Sequence, residues 1–163
     1  MIVQIWRGWT RPEDTEAAGL PPERSITDVL HVADATRTDV PTARPDEVLG
    51  AVWQRTTDAR WDAAVVVDCD GVVIGRLRGR TWNHEPDVRV VDVMESGPTT
   101  VRPDGALAAL VNRMEERDTK LFTVTDPHGA LIGVLVLHDA QHLVRGEPPE
   151  QIWARIRLSL MRD

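Results

Sequence analysis

The sequence predicts an α+β fold in which one β-α-β-β-α unit is used twice to make a single pseudo-symmetric body. Three observations predict it. Displacing the chain by 58 residues lays positions 32–81 on 90–139 without a gap and matches 15 of the 50, where chance supplies about three, and such a fixed period means one structural unit repeated. Both copies carry the same order of helix, strand and turn signals. Finally, 163 residues make one ordinary domain, whereas each unit alone is too small to bury a comfortable core, so the two share one.

Each copy begins with a short extended segment and then Arg44-Pro45-Asp46 or Arg102-Pro103-Asp104, a proline and a helix-capping carboxylate ahead of an apolar pattern at helical spacing. Val48, Leu49, Val52 and Trp53 mark the expected buried face in the first copy, and Ala106, Leu107, Leu110, Val111 and Met114 mark it in the second. Two β-rich runs follow, Ala63–Val67 and Leu121–Val124. Each ends in a turn, Asp68-Cys69-Asp70-Gly71 or Asp126-Pro127-His128-Gly129, whose glycine supplies the positive φ of a tight reversal. Second strands are predicted at Val72–Arg80 and Ala130–His138, and a closing helix is evident only after Asp139.

Bulk composition excludes several classes. A net charge of −7 and a pI near 5.2 repel phosphate backbones and anionic lipid, so no nucleic acid and no membrane is expected as a partner. Cys69 is the only cysteine, which rules out an internal disulfide and a thiolate metal cluster and fits a cytoplasmic location. Set between two aspartates, it is a poor nucleophile. The chain has no phosphate-binding glycine loop and no nucleophile-base signature, so it reads as a non-enzyme.

Val91-Asp92-Val93-Met94, Thr100-Val101-Arg102-Pro103-Asp104, Val124-Thr125-Asp126 with Gly129, and Leu131-Ile132-Gly133-Val134-Leu135 ending in Asp139 closely resemble a cystathionine β-synthase (CBS) domain. The first copy resembles it more loosely through Val32-Ala33-Asp34, Thr42-Ala43-Arg44-Pro45-Asp46, Val66-Val67-Asp68, Gly71 and Ile74-Gly75. The resemblance implies two CBS repeats packed into one module, often dimerised, that senses adenosine-containing ligands in clefts between the copies. The expected division is an N-terminal arm at 1–25, a first repeat at 26–89, a second at 90–146 and a C-terminal helix at 147–163.

In that family the strand after the glycine runs Gly-x-x-Thr-x-x-Asp, and the threonine and aspartate bond the ribose. The second copy keeps Asp139 but has Val136 in place of threonine; the first has Arg78 and Thr81 at the two positions. A neutral hydroxyl bond is worth about 0.5–1.5 kcal/mol and one to a charged group about 1.5–3, so the second cleft is the better candidate. By resemblance its lip, Gly97-Pro98-Thr99-Thr100, offers backbone atoms to the adenine edge. The alternative role for Asp139 is capping the helix it opens. Arg76, Arg78 and Arg80 occupy alternate positions, so they are expected on one side of a strand, either as a soluble edge or as a grip on phosphate.

His138 and His142 stand four apart, as helical metal ligands do. No third ligand accompanies them and His138 is assigned to the strand end, so no metal is expected. Trp6 and Trp9 outside the repeats, Trp53 and Trp61 within the first, and the C-terminal stripe of Ile152, Trp153, Ile156 and Leu160 offer apolar surface for a homodimer. The expected function is a stand-alone regulatory module binding AMP, ADP or ATP and acting on an unknown client protein. The alternative is a CBS-pair interaction or dimerisation module without ligand.

Overall fold

A computed structural model describes residues 30–147; the arm and the C-terminal helix expected from the sequence lie outside the described residues. In chain order the elements are a 3-10 turn at Val32–Ala35, β1 (Thr36–Arg37), β2 (Thr42–Ala43), α1 (Leu49–Asp58), β3 (Ala63–Val67), β4 (Val73–Arg78) and a 3-10 turn at Gly79–Asn83. Then come α2 (Val90–Val93), β5 (Glu95–Ser96), β6 (Thr100–Val101), α3 (Leu107–Glu116), β7 (Leu121–Thr125), β8 (Leu131–Val136) and α4 (Leu137–Val144).

The repeat survives in the register. β3 pairs antiparallel with β4, and β7 with β8, in matching register, and both ladders slip at the same place, between Val66 and Val67 and between Val124 and Thr125. Arg60 and Asp118, also 58 apart, both adopt positive φ after their helices. Val72 and Ala130, equivalent positions, bridge each other. Val73 N–H donates to the Gly129 carbonyl and Leu131 N–H to the Gly71 carbonyl, both at 3.0 Å. The pseudo-twofold axis therefore passes between the two hairpin turns.

The two copies exchange their first strands. One sheet has the order β1-β8-β7-β6 and the other β2-β3-β4-β5, so β1 of the first copy edges the second copy's sheet and β5 returns the exchange. The chain approaches closely at both crossings. A Cβ on Gly133 would lie 2.2 Å from the Arg37 carbonyl oxygen, while one on Gly75 would meet the flexible Met94 thioether. Glycine permits these strands to lie together.

Helix starts are completed by the opposite segment as well. Leu49 and Leu107 N–H donate to the Val88 and Leu30 carbonyls at 2.9 Å, which satisfies donors every helix leaves open. The N-caps are Val48 and Ala106 without side-chain cap bonds, so Asp46 and Asp104 belong to the preceding turns instead of capping. The buried faces are Leu49, Val52 and Thr56 in α1, and Leu107, Leu110, Val111 and Met114 in α3. Val48 and Trp53, expected inside, are about half exposed.

Three apolar clusters result. One forms between each sheet and its helices, around Val66 and Leu77 in the first copy and Val124 and Leu135 in the second. The third, Val40, Val65 and Val134 with Trp61, Leu121 and Val136 against it, is the seam between the copies.

Candidate functional site

Strand alternation decides what faces the seam. Leu77 and Leu135 point into their own copies' cores, so their neighbours Arg76 and Arg78 in β4, and Val134 and Val136 in β8, turn to the opposite face. The second copy thus lines the seam with valine where the first has arginine. Arg76 and Arg78 both donate to the same Glu95 oxygen, at 2.7 and 3.1 Å. Removal from water raises the Glu95 carboxyl, but those bonds and the two positive charges outweigh it and hold the group below its ordinary value. Arg80 does not continue the row, because β4 ends at Arg78 and Gly79, at φ +51°, turns the chain into a 3-10 turn.

Where a ribose-facing residue is expected, the copies differ sharply. Thr81 is buried, and its hydroxyl is used within its own turn: it accepts from Arg78 N–H at 2.7 Å and donates to the Arg78 carbonyl at 2.9 Å. Asp139 is 8% exposed and sits in the first turn of α4, whose N-cap is Val136 with no side-chain cap bond. Capping is therefore not what holds Asp139 here. Its Oδ2 is buried without a hydrogen bond; the nearest cation, Arg37 Nη1, lies 3.6 Å away. A buried carboxylate oxygen left without a donor is costly unless something else visits it.

Arg37 was not singled out in the sequence. It comes from β1, brought to Asp139 by the strand exchange; it also forms a two-bond pair with Asp39 at 2.8 and 3.1 Å and stacks over Trp61, 4.2 Å from the ring centre. The Arg37 bonds are the leading cause that holds the Asp39 carboxyl below its ordinary value. Thr123 was missed too. Its Oγ1 is buried and unpartnered, on the strand position that Val65 fills in the first copy, and the one clue was a hydroxyl interrupting the run Leu121-Phe122-Thr123-Val124.

Arg37, Trp61, Arg78, Lys120, Leu121 and Val136 are among the residues lining a cleft of about 640 Å³ between the copies. Because Ala63 and Arg78 are the repeat equivalents of Leu121 and Val136, the cleft lies astride the pseudo-twofold axis, at the opposite end of the strands from the paired turns. The lip Gly97-Pro98-Thr99-Thr100 spans the two sheets. Gly97 N–H donates to Ile74 in the first copy's sheet, and Thr100 opens β6 at the far edge of the second. Beside Asp139 stands Arg37, which leads through Thr38 into the lip's repeat equivalent, Asp39-Val40-Pro41-Thr42, with Val40 and Pro41 buried.

Among the described residues no group of three or more His, Cys, Asp or Glu side chains is arranged around a common point for a metal, and no helix is long and apolar enough to cross a membrane.

Comparison with known proteins agrees with this architecture. Residues 90–146 match the family model for the CBS domain. Inosine-5'-monophosphate dehydrogenases of Mycobacterium bovis and Mycobacterium tuberculosis are 30% identical over 105 residues, which is 63% of this chain but only 20% of the enzymes' length. The CBS domains of a transcriptional regulator from Streptococcus pneumoniae superpose with a TM-score of 0.66 at 20% identity, covering 71% of this chain and 99% of that one. The cytosolic domain of the Mg2+ channel MgtE in complex with ATP gives 0.64 at 21% identity over 69% and 48% of the two chains. CBSX2 in complex with AMP gives 0.64 at 17% over 71% and 96%. The second repeat belongs to the CBS-domain family, and the chain has the fold of a tandem CBS-domain pair.

Proposed function

We propose that this module is a non-catalytic, cytoplasmic regulator that binds one adenosine-containing nucleotide of the AMP, ADP or ATP class per chain, beside Asp139, and passes its occupancy to a client protein. One observation carries the reading: the Asp139 carboxylate is buried in the first turn of α4 with an oxygen that no donor satisfies, while Thr81 in the other copy is closed on its own backbone. A ribose diol is a suitable donor pair for such an oxygen. AMP and ATP in the CBS neighbours support the ligand class. Val136 takes the place of the second ribose contact, Pro98, Thr99 and Thr100 form the bridging lip, and Arg76, Arg78 and Arg80 stand in the first copy. Since Arg76 and Arg78 are already paired with Glu95, a phosphate tail draws first on Lys120 and Arg60, which also line the cleft.

The ion pair between Arg37 and Asp139 favours the second reading, an interaction module whose cleft stays closed by its own arginine. Nucleotide titration separates the two. Ligand at about 100 times its dissociation constant adds roughly 2.7 kcal/mol, a rise of about 5–10 °C in Tm for a domain of this size. If adenine nucleotides at millimolar concentration leave Tm unmoved, the nucleotide reading fails. Homodimerisation through the terminal segments and the exposed Trp53 is tested separately by light scattering, and an 18.2 kDa particle would contradict it.

A further inference from the structure

From sequence alone His138 falls at a strand end and the His138/His142 pair has no third ligand. The structure starts α4 at Leu137, so both histidines lie on one helix, one turn apart. Their Nε2 atoms are 3.2 Å apart, with ring centres 4.4 Å apart. On the far side of each ring stands a carboxylate: Glu147 Oε2 lies 2.8 Å from His142 Nδ1, and Asp139 Oδ1 lies 3.6 Å from His138 Nδ1.

Glu147 orients one of the two rings. The Glu147 carboxylate at His142 Nδ1 favours the N–H there, which leaves a lone pair on His142 Nε2. The two Nε2 atoms, 3.2 Å apart, are either joined by one ring's N–H donating to the other or, with both lone pairs free, bridged by a cation. A metal ion about 2.0–2.1 Å from each nitrogen would subtend an angle of about 100°, near the tetrahedral value. Carboxylate, imidazole and metal in line is the usual support of a histidine ligand.

We infer that His138 and His142 form a two-ligand site for a borderline divalent transition metal of the zinc, nickel or copper class, oriented by Glu147 and Asp139 and completed by water. Imidazole nitrogens select these ions over magnesium or calcium, which take oxygen ligands. The site goes beyond nucleotide sensing and does not depend on it. Its competing occupant is a single proton shared between the rings.

The test is calorimetric titration of the full chain with zinc sulfate and with nickel chloride, no nucleotide present, in a buffer that does not coordinate metal. Saturable binding of one ion per chain is expected, with magnesium inert. His138→Ala should weaken it at least tenfold; this side chain is two-thirds exposed, so the variant keeps its fold. His142→Ala should do the same, and Glu147→Gln, which removes only the orienting charge, should cost about tenfold. His128→Ala, in a distant turn, should leave affinity unchanged. Wild-type protein that takes up no zinc or nickel below millimolar concentration assigns the pair to a shared proton and overturns the inference. Equal affinity in wild type and His138→Ala overturns it as well.

Discussion

The two repeats share a backbone and differ in the side chains that face the seam. In the first copy the polar groups are spent on each other: Arg76 and Arg78 hold Glu95, and Thr81 closes on Arg78. In the second, valines occupy the arginine positions, and two buried oxygens, Thr123 Oγ1 and Asp139 Oδ2, have no hydrogen bond. Stability and recognition draw on the same groups, and a side chain saturated within its own fold has nothing left to offer a ligand. On the proposed function the internally satisfied first repeat serves as scaffold and the second, with its unsatisfied buried groups, as receptor.

The largest expected effect concerns the strand exchange beneath both clefts. Gly133→Ala places a methyl group 2.2 Å from a backbone oxygen of β1, which cannot swing aside. Overpacking of this kind costs about 3 kcal/mol or more, and the equivalent Gly75→Ala, facing the tip of Met94, about 1. Thermal unfolding should therefore show a fall of roughly 6–12 °C against 2–4 °C. Equal falls would mean that the two crossings are interchangeable.

Next comes a pair of substitutions with opposite consequences. Thr81→Val keeps the side chain's shape but strips Arg78 N–H of its acceptor. It should lower stability by about 1–2 kcal/mol and leave nucleotide affinity alone. Asp139→Asn should do the reverse: Tm lowered only slightly, because Oδ2 has no hydrogen bond to lose and only the long ion pair with Arg37 is weakened, and nucleotide affinity reduced about tenfold to a hundredfold. Titration calorimetry and melting curves on both variants check this, and a Thr81→Val protein with impaired binding would break the assignment of roles.

Much of this was legible in the sequence because it depends on periodicity. The offset of 58 carried over into strand register, bulges and even the positive φ of Arg60 and Asp118. The strand exchange was not legible, since alternation tells which face a residue takes and not which strand lies beside it. Arg37 was missed for that reason, and the lip was grouped with Asp139 although Gly97 is bonded to the other sheet. The row of three arginines failed at Arg80 because the strand ends two residues earlier, at Arg78, where Gly79 at positive φ turns the chain. His138 was assigned to the strand end because the helix α4 begins two residues earlier than its sequence signal at Asp139.

A smaller effect tests whether the second cleft can be improved. Val136 lines the cleft and is half-buried at the end of β8. Val136→Thr swaps a methyl for a hydroxyl and should strengthen nucleotide binding by up to about tenfold, the worth of one neutral hydrogen bond. Arg78→Thr, the same position in the first copy, should gain nothing, since Thr81 offers no carboxylate beside it. A gain in both would argue for two working clefts.

The smallest effect is the acid limb of stability. In the folded protein the Glu95 carboxyl is held below its ordinary value of 4.5, because the Arg76 and Arg78 bonds outweigh its desolvation. A carboxylate depressed in this way stabilises the fold above its unfolded value, and that contribution is lost as pH falls through the folded value. Glu95→Gln removes the linkage, so the variant should be slightly less stable than wild type at neutral pH, and the gap should close as pH drops below about 4.5. The neutral-pH loss should stay under about 1 kcal/mol because the pair is partly exposed, and added salt should shrink it. Asp39 is depressed chiefly by its Arg37 bond and contributes an acid limb in both proteins, so the informative quantity is the difference between the two pH profiles. Profiles that stay parallel down to pH 3 would show that Glu95 is not what the first copy's arginines are spent on, and would return Arg76 and Arg78 to the list of groups able to hold phosphate.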